Sequence, residues 1–265
     1  MPIRFVAKRH CLRIAHAIRF PLLFAAYLST LGACATAQQL HPCIESSPAI
    51  RPADPCADVP RAACAARMDY VRRMYASTVR IHVSSYAASE GMSYHAGTGA
   101  VIDDRGTVLT AYHVVQNARL VIVGARRLSD DGRSTVNLRD IPMRVAATAP
   151  ALDVALLVPD GEGERLPTPL VVRRDAPAAG ERLWHFGHVS FWSHGRVEET
   201  GVTYDGTAGL TRVDFPCRHG DSGGPFVDAE GRLVGVLLKK DGAEEGAGRT
   251  YYLPVGAALD ALGYR

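Results

Sequence analysis

The chain has 265 residues, of which 47% are hydrophobic and 22% are charged. This composition is typical of a globular protein, and the length suffices for one large domain or two half-size domains. The formal net charge of +3 depends on residues 1–33, which hold five Lys and Arg residues and no acid; the remainder has 25 basic and 27 acidic residues. A net charge of −2 there, without a run of Lys and Arg, indicates that nucleic acid is not a partner.

Residues 1–33 have the pattern of an export signal. A basic stretch precedes the apolar run PLLFAAYL (21–28), which is shorter than the roughly 20 residues of a membrane-spanning helix. Two cleavage sites compete. ATA (35–37) fits ordinary secretion, whereas LGAC (31–34) resembles a bacterial lipobox, in which Cys34 is lipidated and becomes the mature N-terminus. We favour cleavage and lipidation at Cys34. An exported protein without lipid is the second possibility, and a leader retained as a membrane anchor is the least favoured. We therefore expect an exported protein, either a cell-envelope lipoprotein held to the membrane through Cys34 or a periplasmic or secreted protein.

The cysteine count also fits an oxidising compartment. Cys11 lies in the leader, and with Cys34 lipidated an even number remains for disulfides. These candidates are Cys43, Cys56, Cys64 and Cys217. Because Cys217 is the last cysteine, an intramolecular partner must lie at position 64 or earlier, and we expect such a bond. A free, buried Cys217 is the alternative.

After the leader, residues 34–76 form a Cys- and Pro-rich segment with a short helix predicted near 60–75. From about residue 77 onward, short runs rich in Val, Ile, Leu and Thr alternate with Gly, Asp and Pro turns. This pattern is typical of an all-β barrel or sandwich. Residues 170–172 are among the predicted strands, and 255–262 read as a terminal helix.

The segment HGDSGGP (219–225) combines a serine with glycines that permit an unusual loop. A serine hydroxyl becomes a good nucleophile only when a base takes its proton, and the base needs an orienting carboxylate. His113 follows the apolar strand end TVLTAY (107–112), and Asp153 leads directly into the apolar run VALL (154–157). An acid beside an apolar strand needs a partner, which an imidazole N–H would provide.

These segments resemble the chymotrypsin-like serine peptidases, in the branch of the bacterial HtrA/Deg proteins. The matching pieces, in the family's order, are GTGAVIDDRGTVLTAYHVV (97–115), ALDVAL (151–156), GERLWHFGH…HGRV (180–197), HGDSGGPFVDAEGRLVGV (219–236) and YYLPVGAALDAL (251–262). The resemblance implies two six-stranded antiparallel β-barrels, which we assign to residues 77–170 and 171–265, with the site between them. No PDZ domain is expected after the terminal helix.

The resemblance also implies roles for individual residues. Ser222 is the nucleophile, His113 the general base and acid, Asp153 its orienter, and the backbone N–H groups of Gly220 and Ser222 form the oxyanion hole. The expected function is a serine endopeptidase that acts on polypeptides without a cofactor. The alternative is a catalytically silent peptidase-fold module that binds peptides or envelope proteins.

Asp221 departs from the Deg proteins, which usually have Asn there. In the trypsin branch this acid commonly pairs with a new N-terminus after cleavage, but the sequence has no clear activation site.

Three histidines, His185, His188 and His194, have a spacing that could suggest a metal site. They fall on strand and loop positions of the matched block and no cysteine is expected nearby, so structural or surface roles are favoured and no metal is expected.

The specificity pocket is predicted from positions around the nucleophile. Pro216, six residues before Ser222, stands where trypsin-like enzymes that cut after Lys or Arg have an acid. The predicted lining is Pro216, Arg218, His219, Leu237, Leu238 and Lys239. These apolar and basic side chains favour apolar, small or acidic P1 residues, because a buried cation would lack a counter-charge. Asp214 is the exception, since an insertion in this loop could bring its carboxylate into the pocket.

Overall fold

The computed structural model describes residue 54, residues 56–87, 91–130, 134–161, residue 166, and residues 168–241 and 248–265. The leader, both cleavage sites, Cys34 and Cys43 lie outside these residues. Within them, no helix is long and apolar enough to cross a membrane.

Six antiparallel strands close into a first barrel, in the order β1-β2-β3-β6-β5-β4. They are β1 (Thr78–Ala87), β2 (Gly91–Val101), β3 (Val108–Ala111), β4 (Ala118–Leu128), β5 (Thr135–Ala149) and β6 (Val154–Pro159). A short helix, α2 (Tyr112–Val115), follows β3, and a 3₁₀ turn (Pro150–Leu152) precedes β6.

A second barrel closes in the order β10-β11-β12-β9-β8-β7. Its strands are β7 (Arg182–Gly187), β8 (Phe191–Tyr204), β9 (Thr207–Val213), β10 (Pro225–Val227), β11 (Leu233–Lys240) and β12 (Thr250–Pro254). The terminal helix, α3, spans Val255–Ala261 and follows β12 directly. The expected all-β fold of two six-stranded barrels is confirmed.

The two strands next to His113 and Asp153 are strongly buried. All four residues of β3 and the first four of β6 are buried, whereas β5 is exposed at most positions. A continuous apolar run suits a strand covered on both faces, while mixed polarity suits an outer strand. His113 and Asp153 therefore adjoin a pair of strands that is buried almost throughout.

A helix before the first barrel, α1 (Arg61–Ala76), contacts both halves of the fold. Its Tyr70 hydroxyl donates to the Asp228 carbonyl at 2.7 Å, and the Tyr70 ring meets Trp184 edge-on at 5.5 Å. Val71 and Tyr75 are buried on the same helix. A disulfide joins Cys56 to Cys64 where the helix begins.

The predicted strand over 170–172 is wrong. Val172 makes only an isolated parallel bridge to Leu233, and Val171 is 68% exposed. The segment connects the barrels instead: the Leu170 amide donates to the Val101 carbonyl at 2.9 Å, and the Leu233 amide donates to Val171 at 2.7 Å. Its backbone is used for these crossing contacts rather than for a sheet.

Candidate active site

His113 and Asp153 are brought together by the pairing of β3 with β6. Ala111 lies opposite Val154 in this pair, so the residues beyond the two strand ends emerge side by side. The Tyr112 amide donates to the Asp153 carbonyl at 2.8 Å and fixes this corner. The local fold therefore follows from two buried apolar strands that end at the same level.

The carboxylate of Asp153 holds His113 at two points. Oδ1 accepts the His113 backbone N–H at 2.8 Å, and Oδ2 lies 2.7 Å from Nδ1. The Asp153 side chain is 10% exposed and that of His113 is 42% exposed. With Asp153 ionised, Nδ1 carries the proton and donates, which leaves Nε2 as the acceptor nitrogen of the ring.

Ser222 lies in the loop that connects β9 to β10 in the second barrel. We call residues 218–224 the serine loop. Gly220 and Gly223 have φ values of 97° and 84°, a region that favours glycine. Thr98 of the first barrel reaches this loop twice. Its amide donates to the Ser222 carbonyl at 2.9 Å, and its hydroxyl donates to the Gly220 carbonyl at 2.9 Å.

The backbone N–H groups of Gly220 and Ser222 have no acceptor among the residues that the structure describes. The neighbouring amides are paired: the Asp221 amide donates to Arg218 at 3.1 Å and the Gly223 amide to Leu237 at 2.8 Å. Two unpaired donors on either side of one peptide unit are suited to a developing oxyanion.

The Asp221 carboxylate, whose partner the sequence left open, is fully buried and bound by the turn between β7 and β8. Oδ1 accepts the amides of Val189 and Ser190, each at 3.0 Å. Oδ2 accepts the Ser190 hydroxyl and, at 3.0 Å, the Arg218 amide. We call residues 188–190 the anchoring turn. No sequence signal identified it, because its donors are two backbone amides and one ordinary serine.

A cleft of about 320 Å³ opens between His113 and Ser222. Five of the six predicted pocket residues line it, and Pro216 does not. Cys217 and Lys240, which the sequence analysis did not include, line it as well. The lining beyond the two catalytic candidates is Cys217, Arg218, His219, Leu237, Leu238, Lys239 and Lys240. No acidic side chain is among these described residues. Asp214 is not among them, and its Oδ1 accepts the Arg196 amide at 2.6 Å.

The expected bond from Cys217 to an N-terminal cysteine is not formed. Cys217 has a free thiol that is 1% exposed, and its Sγ lies 3.6 Å from His185 Nδ1. Burial raises the pKa of this thiol, so it remains protonated. Cys56 and Cys64 pair with each other instead, because they are only eight positions apart and meet at the start of α1.

The three histidines of the matched block have separate partners. His185 pairs with Cys217, the His188 Nδ1 lies 3.0 Å from the Thr98 hydroxyl, and His194 lies 3.4 Å from Asp58. Burial lowers the pKa of His185 and of His188 to about 4.

His185, Cys217 and Asp221 offer three potential metal ligands within 4.8 Å of one another. Both Asp221 oxygens, however, already accept hydrogen bonds from N–H and O–H groups. A metal ion would have to displace these donors from the carboxylate.

The chain has relatives among known proteins. It is 31% identical over 173 residues to a Pseudomonas putida protein named probable periplasmic serine endoprotease DegP-like, covering 62% of this chain and 33% of that one. It is 27% identical over 158 residues to serine endoprotease DegS of Escherichia coli, covering 57% and 41%. The chain thus spans about a third of the length of the DegP-like relative.

Solved structures share the fold. An HtrA-type protease, AlgW, with a tripeptide superposes with a TM-score of 0.58 at 21% identity, covering 73% of this chain and 61% of that one. The MamO protease domain from Magnetospirillum magneticum superposes with a TM-score of 0.55 at 21% identity, covering 72% and 97%. A family model described as a trypsin-like peptidase domain matches residues 97–236. Because this match includes more than half of the 265 residues, the chain belongs to the family of trypsin-like peptidase domains.

Proposed function

We propose that the chain is a serine endopeptidase that hydrolyses peptide bonds through an acyl-enzyme. The observation that carries the proposal is the pair of contacts from Asp153 to His113 at the edge of the cleft that Ser222 also lines. A carboxylate that orients an imidazole next to a serine is the arrangement that activates a hydroxyl. The names of the DegP-like and DegS relatives support the same reaction class.

In the proposed mechanism, His113 Nε2 takes the Ser222 proton as Oγ attacks the carbonyl carbon of the scissile bond. Asp153 stabilises the imidazolium by accepting from Nδ1–H. The C–N bond then breaks, the leaving amine takes the proton from Nε2, and the acyl group remains on Ser222. Water, deprotonated by His113, attacks this ester and releases the second product and the free serine.

The oxyanion of each tetrahedral intermediate would be bound by the N–H groups of Gly220 and Ser222. Neither donor has an acceptor in the part of the chain that the structure describes, which supports this assignment. A preorganised donor of this kind contributes about 3–4 kcal/mol to transition-state stabilisation. The positive φ of Gly220 lets its peptide unit present the N–H toward the cleft.

A serine-directed fluorophosphonate probe and a casein substrate test the proposal. The wild-type chain should be labelled and should hydrolyse casein, and Ser222→Ala should lose both activities. Alanine at His113 or Asp153 should also remove most activity, and the losses should not add because one proton transfer needs all three residues. Ser85→Ala is the matched control, because Ser85 is a half-buried serine on β1 whose hydroxyl bonds only to Ser93 among the described residues. A wild-type chain that binds peptides but resists the probe would be a silent peptidase-fold module instead.

We further propose that the protein is exported and acts in the cell envelope. The DegP-like relative is named as periplasmic, and the Cys56–Cys64 disulfide suits an oxidising compartment. For membrane attachment the proposed group is lipid on Cys34. Cys34→Ser should then move the protein from the membrane fraction to the soluble envelope fraction. A wild-type protein that is already soluble, with its N-terminus at Gln38, would contradict lipidation.

A further inference from the structure

The Asp221 carboxylate is buried without a cationic partner among the described residues that bind it. Its four donors are three backbone amides and one hydroxyl. A carboxylate has about four lone-pair sites, so this set satisfies it. A buried, unpaired charge is otherwise costly, which is why an ammonium from a new N-terminus is an effective partner in the trypsin branch. In this chain the anchoring turn occupies that role.

The position of Asp221 ties this carboxylate to the oxyanion donors. It lies between Gly220 and Ser222, so the hydrogen bonds to its carboxylate restrain the residue whose backbone joins the two oxyanion donors. The anchoring turn also lies directly against Gly220: a β-carbon placed there would be 2.8 Å from His188 Cε1 and from Val189 Cγ2. The turn therefore contacts the serine loop in two ways, by hydrogen bonds to the Asp221 carboxylate and by the packing of His188 and Val189 against Gly220.

The junction before the first barrel is not open to cleavage. Ser77 and Thr78, which connect α1 to β1, are 4% and 3% exposed. The Ser77 amide and the Thr78 hydroxyl both bind the Met74 carbonyl, at 3.2 and 3.0 Å. The Ser77 hydroxyl donates to Thr168 at 2.6 Å. A protease needs an exposed, extended segment, and this one is buried and hydrogen-bonded.

From these observations we propose that the anchoring turn is a built-in latch for the serine loop, and that the site assembles without proteolytic activation. Ser190 is the positioning residue, because its hydroxyl supplies the side-chain donor where an ammonium would otherwise be needed. The catalytic consequence rests on the proposed peptidase function, whereas the structural consequence, a fixed serine loop, does not.

Hydrogen–deuterium exchange in a Ser222→Ala background tests the latch independently of activity. Ser190→Ala should raise the exchange rate of the amides in residues 217–224 about tenfold or more, since it removes a charge-assisted hydrogen bond. Ser190→Thr keeps a hydroxyl and should restore protection. Ser193→Ala removes a nearby buried hydroxyl that has no hydrogen bond to Asp221, and it should match the parent. Unchanged exchange in Ser190→Ala would overturn the latch.

The same Ser190 substitutions in the chain that retains Ser222 separate positioning from general stability. Ser190→Ala should lower kcat and the rate of fluorophosphonate labelling by a similar factor, about tenfold or more, and change KM little. An increase in KM with kcat unchanged would contradict the positioning role. If the parent neither hydrolyses nor labels, the peptidase proposal fails, and the exchange experiment still decides the latch.

The absence of proteolytic activation is tested with the exported protein, after its N-terminus has been determined by sequencing. Molecules that begin upstream of α1 should react with the probe without any further cut. Probe reactivity that appears only after a cleavage between α1 and β1 would overturn the proposal, because it would assign the Asp221 partner to a new N-terminus.

Discussion

In the first barrel, His113 and Asp153 follow directly from the ends of two paired, buried strands, whereas Ser222 of the second barrel lies in a loop outside the strands. The serine loop is fixed by contacts to the anchoring turn and to Thr98, and its last two residues by backbone hydrogen bonds to Leu237. One half of the site is therefore positioned by sheet structure and the other by a small polar network. Substitutions in the strand-held half should mainly change chemistry, while those in the loop-held half should change geometry.

Asp153→Asn tests the strand-held half with the largest expected effect. Asparagine keeps an acceptor for the His113 amide but places an NH₂ group opposite Nδ1, which forces the wrong imidazole tautomer. We expect kcat to fall by about 10⁴-fold, with the fold retained as measured by near-UV circular dichroism. Asp104→Asn, on the exposed β2–β3 turn, is the control. A kcat within tenfold of wild type would show that His113 does not depend on this carboxylate.

Gly223→Ala tests the loop-held half. Gly223 has φ 84°, and a β-carbon there would overlap with the Thr98 carbonyl oxygen and the Thr110 hydroxyl. Strain and overlap together should lower kcat/KM by about 10³-fold. Gly206→Ala is a matched control, since Gly206 has φ 76° with open space around it. It should cost about 1 kcal/mol of stability and leave activity intact. Equal effects of the two variants would show that strain alone, without contact to the first barrel, controls the loop.

The pH dependence of unfolding tests whether the second barrel depends on a neutral His185. The unfolded chain takes up a proton near pH 6.5, but burial holds the folded pKa at about 4. The free energy of unfolding should therefore fall as the pH is lowered from 6.5 to 4, by up to about 3 kcal/mol from this residue. Urea titrations across this pH range give the free energy of unfolding at each pH. Its decrease toward low pH should be smaller for His185→Phe than for the wild type, and the exposed His219→Gln is the control. An unchanged slope in His185→Phe would assign the loss to other groups.

Specificity gives the smallest expected effect and tests the cleft itself. Leu237 and Leu238 supply apolar walls and Arg218 a cation, while Lys239 is balanced by Asp205 at 3.0 Å. Cleavage after Lys or Arg should be at least about tenfold slower than after apolar or acidic residues, because a basic P1 group meets no acidic side chain among the described residues of the cleft. A fluorogenic library varied at P1 measures this preference, and Arg218→Gln should reduce it. Dominant cleavage after Lys or Arg would contradict it.

The two halves of the site also differed in how well the sequence predicted them. His113, Asp153 and Ser222 stand in distinct motifs, and the apolar strand ends beside His113 and Asp153 predicted where those two would meet. The contact between Asp221 and Ser190 joins two loops 31 residues apart, and backbone amides leave no trace in a sequence. The free thiol of Cys217 was mispredicted because cysteine parity cannot detect a buried partner such as His185.

The regular structure shows the same limit. The buried strands β3 and β6 were recognisable from continuous apolar runs, but most of β5 was not, because its residues are largely exposed and lack an apolar face. Residues 170–172 have strand-like side chains but follow a crossing path between barrels, which tertiary contacts alone determine.

Thr98 has a practical consequence for recombining this protein with its relatives. Through its amide and its hydroxyl, one fully buried residue of the first barrel holds the carbonyls of both Gly220 and Ser222. A chimera that joins the first barrel of a relative to the second barrel of this chain must retain a threonine or serine at this position to support the serine loop. The two barrels can therefore be exchanged at residues 170–172 on one condition. Residue 98 must be compatible with the protein that supplies residues 218–224.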